Sequence, residues 1–179
     1  LDRLRTLITA GGDKTQVTLD LNGGTYVTTI SLDGTGILSW GWKIQNGTLL
    51  GKCVGKPVLD LTGSRGGHIV DVVIFGDETS EPSIGMLAAR ATDSAEYGYC
   101  DNNLYQNIST IGYFSTAGAV FYAQETTVYD HCRFWNYDET GYCAVHQSDD
   151  TVAMTSDYKT LLTGRGSFVN NKYNNVDYR

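Results

Sequence analysis

At 179 residues the chain is long enough for one sizeable core and a single domain, and its formal net charge is −7. Lys and Arg are scattered singly, so a phosphate-backbone footprint is absent and nucleic-acid binding is not expected, although a local basic pocket can coexist with an acidic whole. Hydrophobic residues make up 41% of the chain, which excludes a disordered tail. No apolar run approaches the roughly 20 residues of a membrane span, so membrane insertion is not expected either.

Leu1, Leu4, Leu7 and Ile8 share one face of a short helix that stops at Gly11 and Gly12. We read residues 1–12 as an N-terminal cap over an open sheet edge, with a piece of a linker to a preceding domain as the alternative, and residues 13–179 as a β domain. The chain starts at Leu1 without a basic-then-apolar leader and stops at Arg179 in what reads like an interrupted turn of structure, so a fragment or a processed chain is expected. Residues 16–21, 25–32 and 36–45 alternate apolar and polar side chains, with turn chemistry at Asn22, Gly23, Asp33 and Gly34 between them. Glycine occurs 21 times and proline twice, as suits a chain that bends often at fixed places.

Further along, one segment is said twice. Residues 119–130 lie over residues 144–155 at an offset of 25, with Ala119 over Ala144, Val120 over Val145 and Glu125 over Asp150. A fixed period of this size predicts a solenoid, and the β-branched and aromatic content predicts strands rather than helices. The expected fold is therefore all-β, a right-handed parallel β-helix of about 25-residue coils. A second repeat carries an Asn or Asp followed by apolar residues up to a Gly or Asn: Asn46 to Gly51, Asp71 to Gly76, Asn107 to Gly112 and Asp130 to Asn136, with Asn170 as a further candidate. Such residues bond a turning backbone and tolerate the left-handed conformation, so they form a turn ladder rather than a catalytic set. Longer intervals place inserted loops at residues 76–83, 92–101 and 155–166.

Cys53, Cys100, Cys132 and Cys143 show neither C-x-x-C spacing nor zinc-like His partners, which makes them small buried hydrophobes; spacing leaves a Cys132–Cys143 disulfide open. No metal or other cofactor is expected.

Residues 57–77 resemble the strand–turn–strand of right-handed β-helix proteins in the pectate-lyase superfamily, and residues 15–32 resemble their opening coil. The run from Ser83 through Asn107 and Ala119 to Asn136 looks most like bacteriophage tailspike and tail-fibre β-helices. That resemblance implies a homotrimer on a virion, in contact with other virion proteins, that engages and often cleaves a host surface polysaccharide. Ser148 to Thr151 carries the paired acids of a polygalacturonase-like site, but the Gly-His-Gly and Arg-x-Lys elements do not follow it.

Glycoside hydrolysis needs two carboxyl groups about 5–9.5 Å apart. The 25-residue register would stack Glu125 and Asp150 on neighbouring strands, about 4.8 Å apart, as acid and nucleophile or base, with Asp149 assisting. A solvated acidic patch is the alternative. Sugar binding wants aromatic faces beside polar donors, which singles out Tyr122, Arg133, Trp135, Tyr137 and His146. Trp40 and Trp42 read as packing or subunit-interface residues. Three functions follow: a virion glycan-recognition protein, a purely structural virion β-helix, or a free extracellular polysaccharide lyase or hydrolase.

Overall fold

In the computed structural model, which describes residues 17–33, 41–89, 102–122, 124, 126–147, 153–156, 160–163 and 171–179, the described residues form strands and turns without a helix. The expected cap over residues 1–12 lies outside them, as do Trp40, Cys100, Asn170 and the expected loop at 92–101. The first strands are β1 (Val17–Asp20), β2 (Thr25–Thr28), β3 (Leu32–Asp33) and the long β4 (Trp42–Gly51). Next come β5 (Pro57–Asp60), β6 (His68–Gly76), β7 (Ile84–Ala89), β8 (Leu104–Gln106), β9 (Ser109–Gly112) and β10 (Ala117–Tyr122). The series ends with β11 (Val128–Asp130), β12 (Arg133–Asn136), β13 (Tyr142–Gln147), β14 (Ala153–Ser156), β15 (Thr160–Thr163), β16 (Lys172–Asn174) and β17 (Asp177–Tyr178).

These strands make two sheets, and every strand pair is parallel except β14 with β15. Parallel strands cannot be joined by tight hairpins, so the chain leaves one sheet and returns to it through the other. Pairing distances along the sequence are short and recurrent. Ile44 pairs with Ile69, 25 residues on, and Tyr105 with Tyr129, 24 on. The step from Ile69 to Tyr105 is 36 residues and that from Tyr129 to Tyr173 is 44. In the second sheet Ala119 pairs with Ala144, the register expected from the repeat. Of the loop expected at 155–166, the described residues 160–163 form β15, which joins that sheet beside β13, with β14 folded back on it.

The larger sheet bends along a single column, where Asn46, Asp71, Asn107, His131 and Asn175 all hold φ between 51° and 63°. Asn and Asp tolerate this left-handed region because their short side chains bond locally. Asn107 Nδ2 donates to Asp71 Oδ1 at 2.7 Å, tying one level of the column to the next. Here the reading of Asp130 needs correcting by one residue. His131 takes the left-handed position, while Asp130 sits before it as an acceptor for Gln106 Nε2 at 3.1 Å and Asn174 Nδ2 at 2.6 Å. Two adjacent polar residues look alike in a spacing count; only strand pairing separates them. Among the described residues a further level is held by Asn175; the candidate Asn170 lies outside them.

Five residues past the bend stands a second column, Gly51, Gly76, Gly112 and Asn136, in register across β4, β6, β9 and β12. A Cβ on Gly112 would collide with the Gly76 carbonyl, and its φ of +123° excludes other side chains. Asn136 holds the corner with its amide instead, donating to Phe114 O at 2.8 Å and accepting from Phe114 N at 3.1 Å.

Both arms of the bent sheet and the second sheet bury one common core. Ile44, Ile69, Tyr105 and Tyr129 enter from the first arm, Leu49, Ile74 and Phe134 from the second, and Leu59, Met86, Ala119 and Phe121 from the opposite sheet. Trp42 is buried as well, in packing rather than at an interface, with its ring laid over Gly67 and Nε1 donating to Arg65 O. Cys53, Cys132 and Cys143 are buried free thiols, so the Cys132–Cys143 bond left open by the spacing is not made. Burial raises the Cys132 thiol to about 11, and its Sγ donates to Tyr105 O at 3.2 Å.

Because the bend needs a left-handed residue, Asn107→Val should destabilise the fold by about 1–2 kcal/mol in urea melts, whereas Asn107→Gly should stay within about 1 kcal/mol of the parent. Equal losses in the two variants would show that the conformation is not what Asn107 supplies.

Candidate functional site

Counting from the bend column gives each level the same frame. Four residues past it stand Leu50, Phe75, Ile111, Trp135 and, after Asn175, Arg179; Val27 pairs beside Leu50 at the start of the row. Their chain neighbours Leu49, Ile74 and Phe134 are buried, so alternation turns this row outward. Val27 remains 59% exposed and Phe75 40%, which makes the row an apolar stripe open to solvent. Two residues past the bend, Thr48, Val73, Ser109, Arg133 and Asp177 form a parallel row on the same outward face. Six residues past it lie Lys52, Asp77, Tyr113 and Tyr137.

At the β12–β17 end these rows make a concentrated cluster. Trp135 Nε1 donates to Asp177 Oδ2 at 3.2 Å, which fixes the tilt of the indole. Arg179 Nε reaches the same oxygen at 3.3 Å. The Arg179 guanidinium lies 5.0 Å from the Trp135 ring centroid and the Arg133 guanidinium 5.9 Å from it. At the flank, Tyr137 is half exposed and meets Tyr113 edge to face at 5.8 Å between centroids. Sheet pairing therefore brings Arg133 and the half-buried Trp135 onto one outward face, with Tyr137 following just past the Asn136 corner.

Elsewhere the expected set disperses. Tyr122 belongs to β10 of the other sheet, where Phe121 beside it points into the core and Tyr122 points away, so it does not join the Trp135 cluster. His146 is a correction: it is wholly buried, stacked on Phe121 at 4.8 Å, with its two ring nitrogens 3.1 Å from Tyr178 OH and 3.4 Å from Tyr173 OH. Burial holds it neutral, with its pKa down at about 3, and no external ligand reaches it. Strand alternation from Ala144 sends residue 146 inward, which a composition-level search for polar neighbours does not see. Glu125, Asp149 and Asp150 lie outside the described residues; the register their pairing rests on is present as far as Tyr122 opposite Gln147.

Sequence reasoning also missed a second carboxyl pair. Glu81 and Asp138 share a hydrogen bond that raises Glu81, while backbone N–H groups, that of Thr140 first, keep Asp138 below the usual range. Of the two, Glu81 is the one that takes up a proton first as pH falls. Phe75, Tyr113 and Arg179 went unnoticed as well. Their signal was present as a constant distance from the bend residues Asp71, Asn107 and Asn175.

A cavity of about 350 Å³ at the opposite end is walled by Leu19, Leu21, Leu32, Ile44 and Leu49, the inward side chains of the first strands. It is the end of the core. Among the described residues no group of His, Cys, Asp and Glu could hold a metal ion. No protein-family model, curated protein or solved structure matches the chain.

Proposed function

We propose that this chain is a right-handed parallel β-helix of a phage tailspike or tail fibre, and that it binds host surface polysaccharide on the outward face of Arg133, Trp135 and Tyr137. The solenoid reading is supported by parallel pairing at intervals of 24–25 residues, by the in-register bend and corner columns, and by a single shared core. Crossovers between parallel strands are right-handed in nearly all proteins, which supports the hand. One observation carries the binding reading: a half-buried indole on the outward face, fixed by Asp177 and flanked by two guanidinium groups, with a tyrosine pair just past the adjoining corner. Sugars present apolar ring faces edged with hydroxyls, and aromatic planes beside fixed donors match both. On this reading the chain works as a homotrimer among other virion proteins, and any cleavage falls to Glu125 and Asp150 with Asp149 assisting.

Trp135→Ala should weaken binding to a bound polysaccharide about 30-fold or more, in keeping with the cost of removing a central aromatic anchor. Glycan-array screening followed by calorimetry measures this. Unchanged affinity would move binding off this face. A second reading, a structural virion component without glycan activity, is favoured by the Val27, Leu50, Phe75 and Ile111 stretch, which offers apolar side chains for a neighbouring subunit. A blank array would select it.

A further inference from the structure

The level of the larger sheet made by β16 and β17 is tied to the core through a buried histidine. These strands are three and two residues long, and among the described residues each pairs on one edge only, with β11 and β12. Tyr173 lies flat on Tyr129 at 4.7 Å between centroids yet stays 44% exposed, whereas Tyr129 is fully buried. From the opposite sheet the wholly buried His146 turns one ring nitrogen to Tyr178 OH at 3.1 Å and the other to Tyr173 OH at 3.4 Å. Side chains of this level therefore stand between both nitrogens and water. β13, which carries His146, is held on both edges, by β10 and β15. Among the other ties of the level, Asn174 Nδ2 to Asp130 Oδ1 at 2.6 Å and Asn175 Nδ2 to His131 Nε2 at 3.0 Å lie at the surface, where water competes for them.

We infer that His146 is an acid latch: when its ring takes up a proton, β16 and β17 come off the end of the sheet while the levels before them stay folded. The two phenol oxygens can accept from an imidazolium, but neutral partners do not offset the burial of a full charge. The titratable groups facing the ring are Tyr173 and Tyr178 of this level and Tyr129 of β11, with Cys132 beside Tyr178; phenols and thiols are uncharged in acid. Phe121 flanks it from β10 and Leu162 from β15. Lifting β16 and β17 is therefore the smallest opening that brings water to the ring. Burial keeps the pKa at about 3 while the level is closed, so the open population gains up to about 100-fold between pH 7.5 and pH 4.5. His131 is not the trigger: it is exposed, and Asp130 Oδ1 stands 2.8 Å from its Nδ1, so a charge there is met by a carboxylate and by water. The level also carries Asp177, which fixes the Trp135 indole, so the outward face is dismantled with it. That consequence for a ligand rests on the glycan-binding reading; the latch itself does not.

Amide hydrogen exchange on the full chain, corrected for its intrinsic pH dependence, reads the opening directly and needs no glycan. Residues 172–178 should exchange through an opening separate from that of β4 and β6, and with a weaker dependence on denaturant. That opening should grow about 30- to 100-fold from pH 7.5 to pH 4.5, with a slope close to one proton per pH unit below pH 6. His146→Phe should abolish the growth, and His131→Asn, which keeps a residue suited to the left-handed bend, should retain it. If residues 172–178 of the parent chain exchange only together with β4 and β6, or if their opening is flat with pH, the latch is overturned whatever the variants do. Growth that persists in His146→Phe overturns it as well. A polysaccharide bound at pH 7.5 should be released over the same pH range. Opening of the level with undiminished glycan binding leaves the latch standing and takes the glycan site away from Trp135.

Discussion

Replacing Phe121 with alanine should cost about 3–5 kcal/mol of folding stability. Its ring lies at the meeting point of all three walls of the core. It contacts Tyr105 at 5.6 Å and Tyr129 at 4.9 Å from the first arm of the bent sheet, Phe134 at 5.4 Å from the second arm, and His146 at 4.8 Å in its own sheet. All five side chains are fully buried, so the space left by the ring has no loose neighbour to fill it. Edge-to-face geometry with Tyr129 and Phe134 adds to the loss beyond buried area. For a chain of this length the melting temperature should fall by about 6–20 °C. Phe121→Leu should lose less, because a branched aliphatic chain keeps much of the volume. A loss below about 1 kcal/mol in the alanine variant would show that the two sheets are not joined through this ring.

Acid should unfold the protein in two stages, the first of them set by His146. Burial lowers its pKa from the ordinary value near 6.5 to about 3 in the folded chain. The unfolded chain therefore binds the proton first as pH falls. Stability from the neutral imidazole is fully present above pH 6.5, declines by up to about 1.4 kcal/mol per unit below it, and levels off near the folded value. By pH 4.5 the loss should reach about 2–3 kcal/mol. Tyr173 and Tyr178 face the ring and Cys132 lies near Tyr178, and burial raises all three, so none supplies a negative charge that would hold an imidazolium.

A second stage belongs to carboxylates held low by hydrogen bonds: Asp130 by Gln106 and Asn174, Asp20 by Gln45, Asp77 by Thr79. Their contribution is present above the usual carboxylate pKa and is lost as pH falls through the lowered folded values. Glu81, raised by Asp138, acts in the opposite sense. Denaturant melts between pH 8 and pH 3 separate the stages. His146→Phe should remove most of the slope between pH 6.5 and 4.5, leaving the shallow part due to His68, which burial and Lys43 also lower. If that slope is unchanged in the variant, the ring is not buried neutral.

Strand type, strand spacing and the bend were within reach of the residues alone. Alternation marked β1 and β2, the 25-residue echo of Ala119 in Ala144 is an actual pairing, and Asn46, Asp71 and Asn107 hold the left-handed turn assigned to them. These features are local or periodic: conformational preference at one residue, and the need for each level to match the next, are written into every repeat.

What only the tertiary structure decided is which side chains meet. The choice of His131 over Asp130 at the bend shifts every later count by one residue, and one residue is the difference between core and solvent in a strand. That step sends Phe134 inward and Trp135 outward, and puts Arg179 beside an indole 44 residues earlier. Assignment to the two sheets likewise separates Tyr122 and His146 from Trp135, although all are polar or aromatic residues close in sequence. Sequence determines which levels can stack; hydrogen-bond register between levels determines which face each side chain serves.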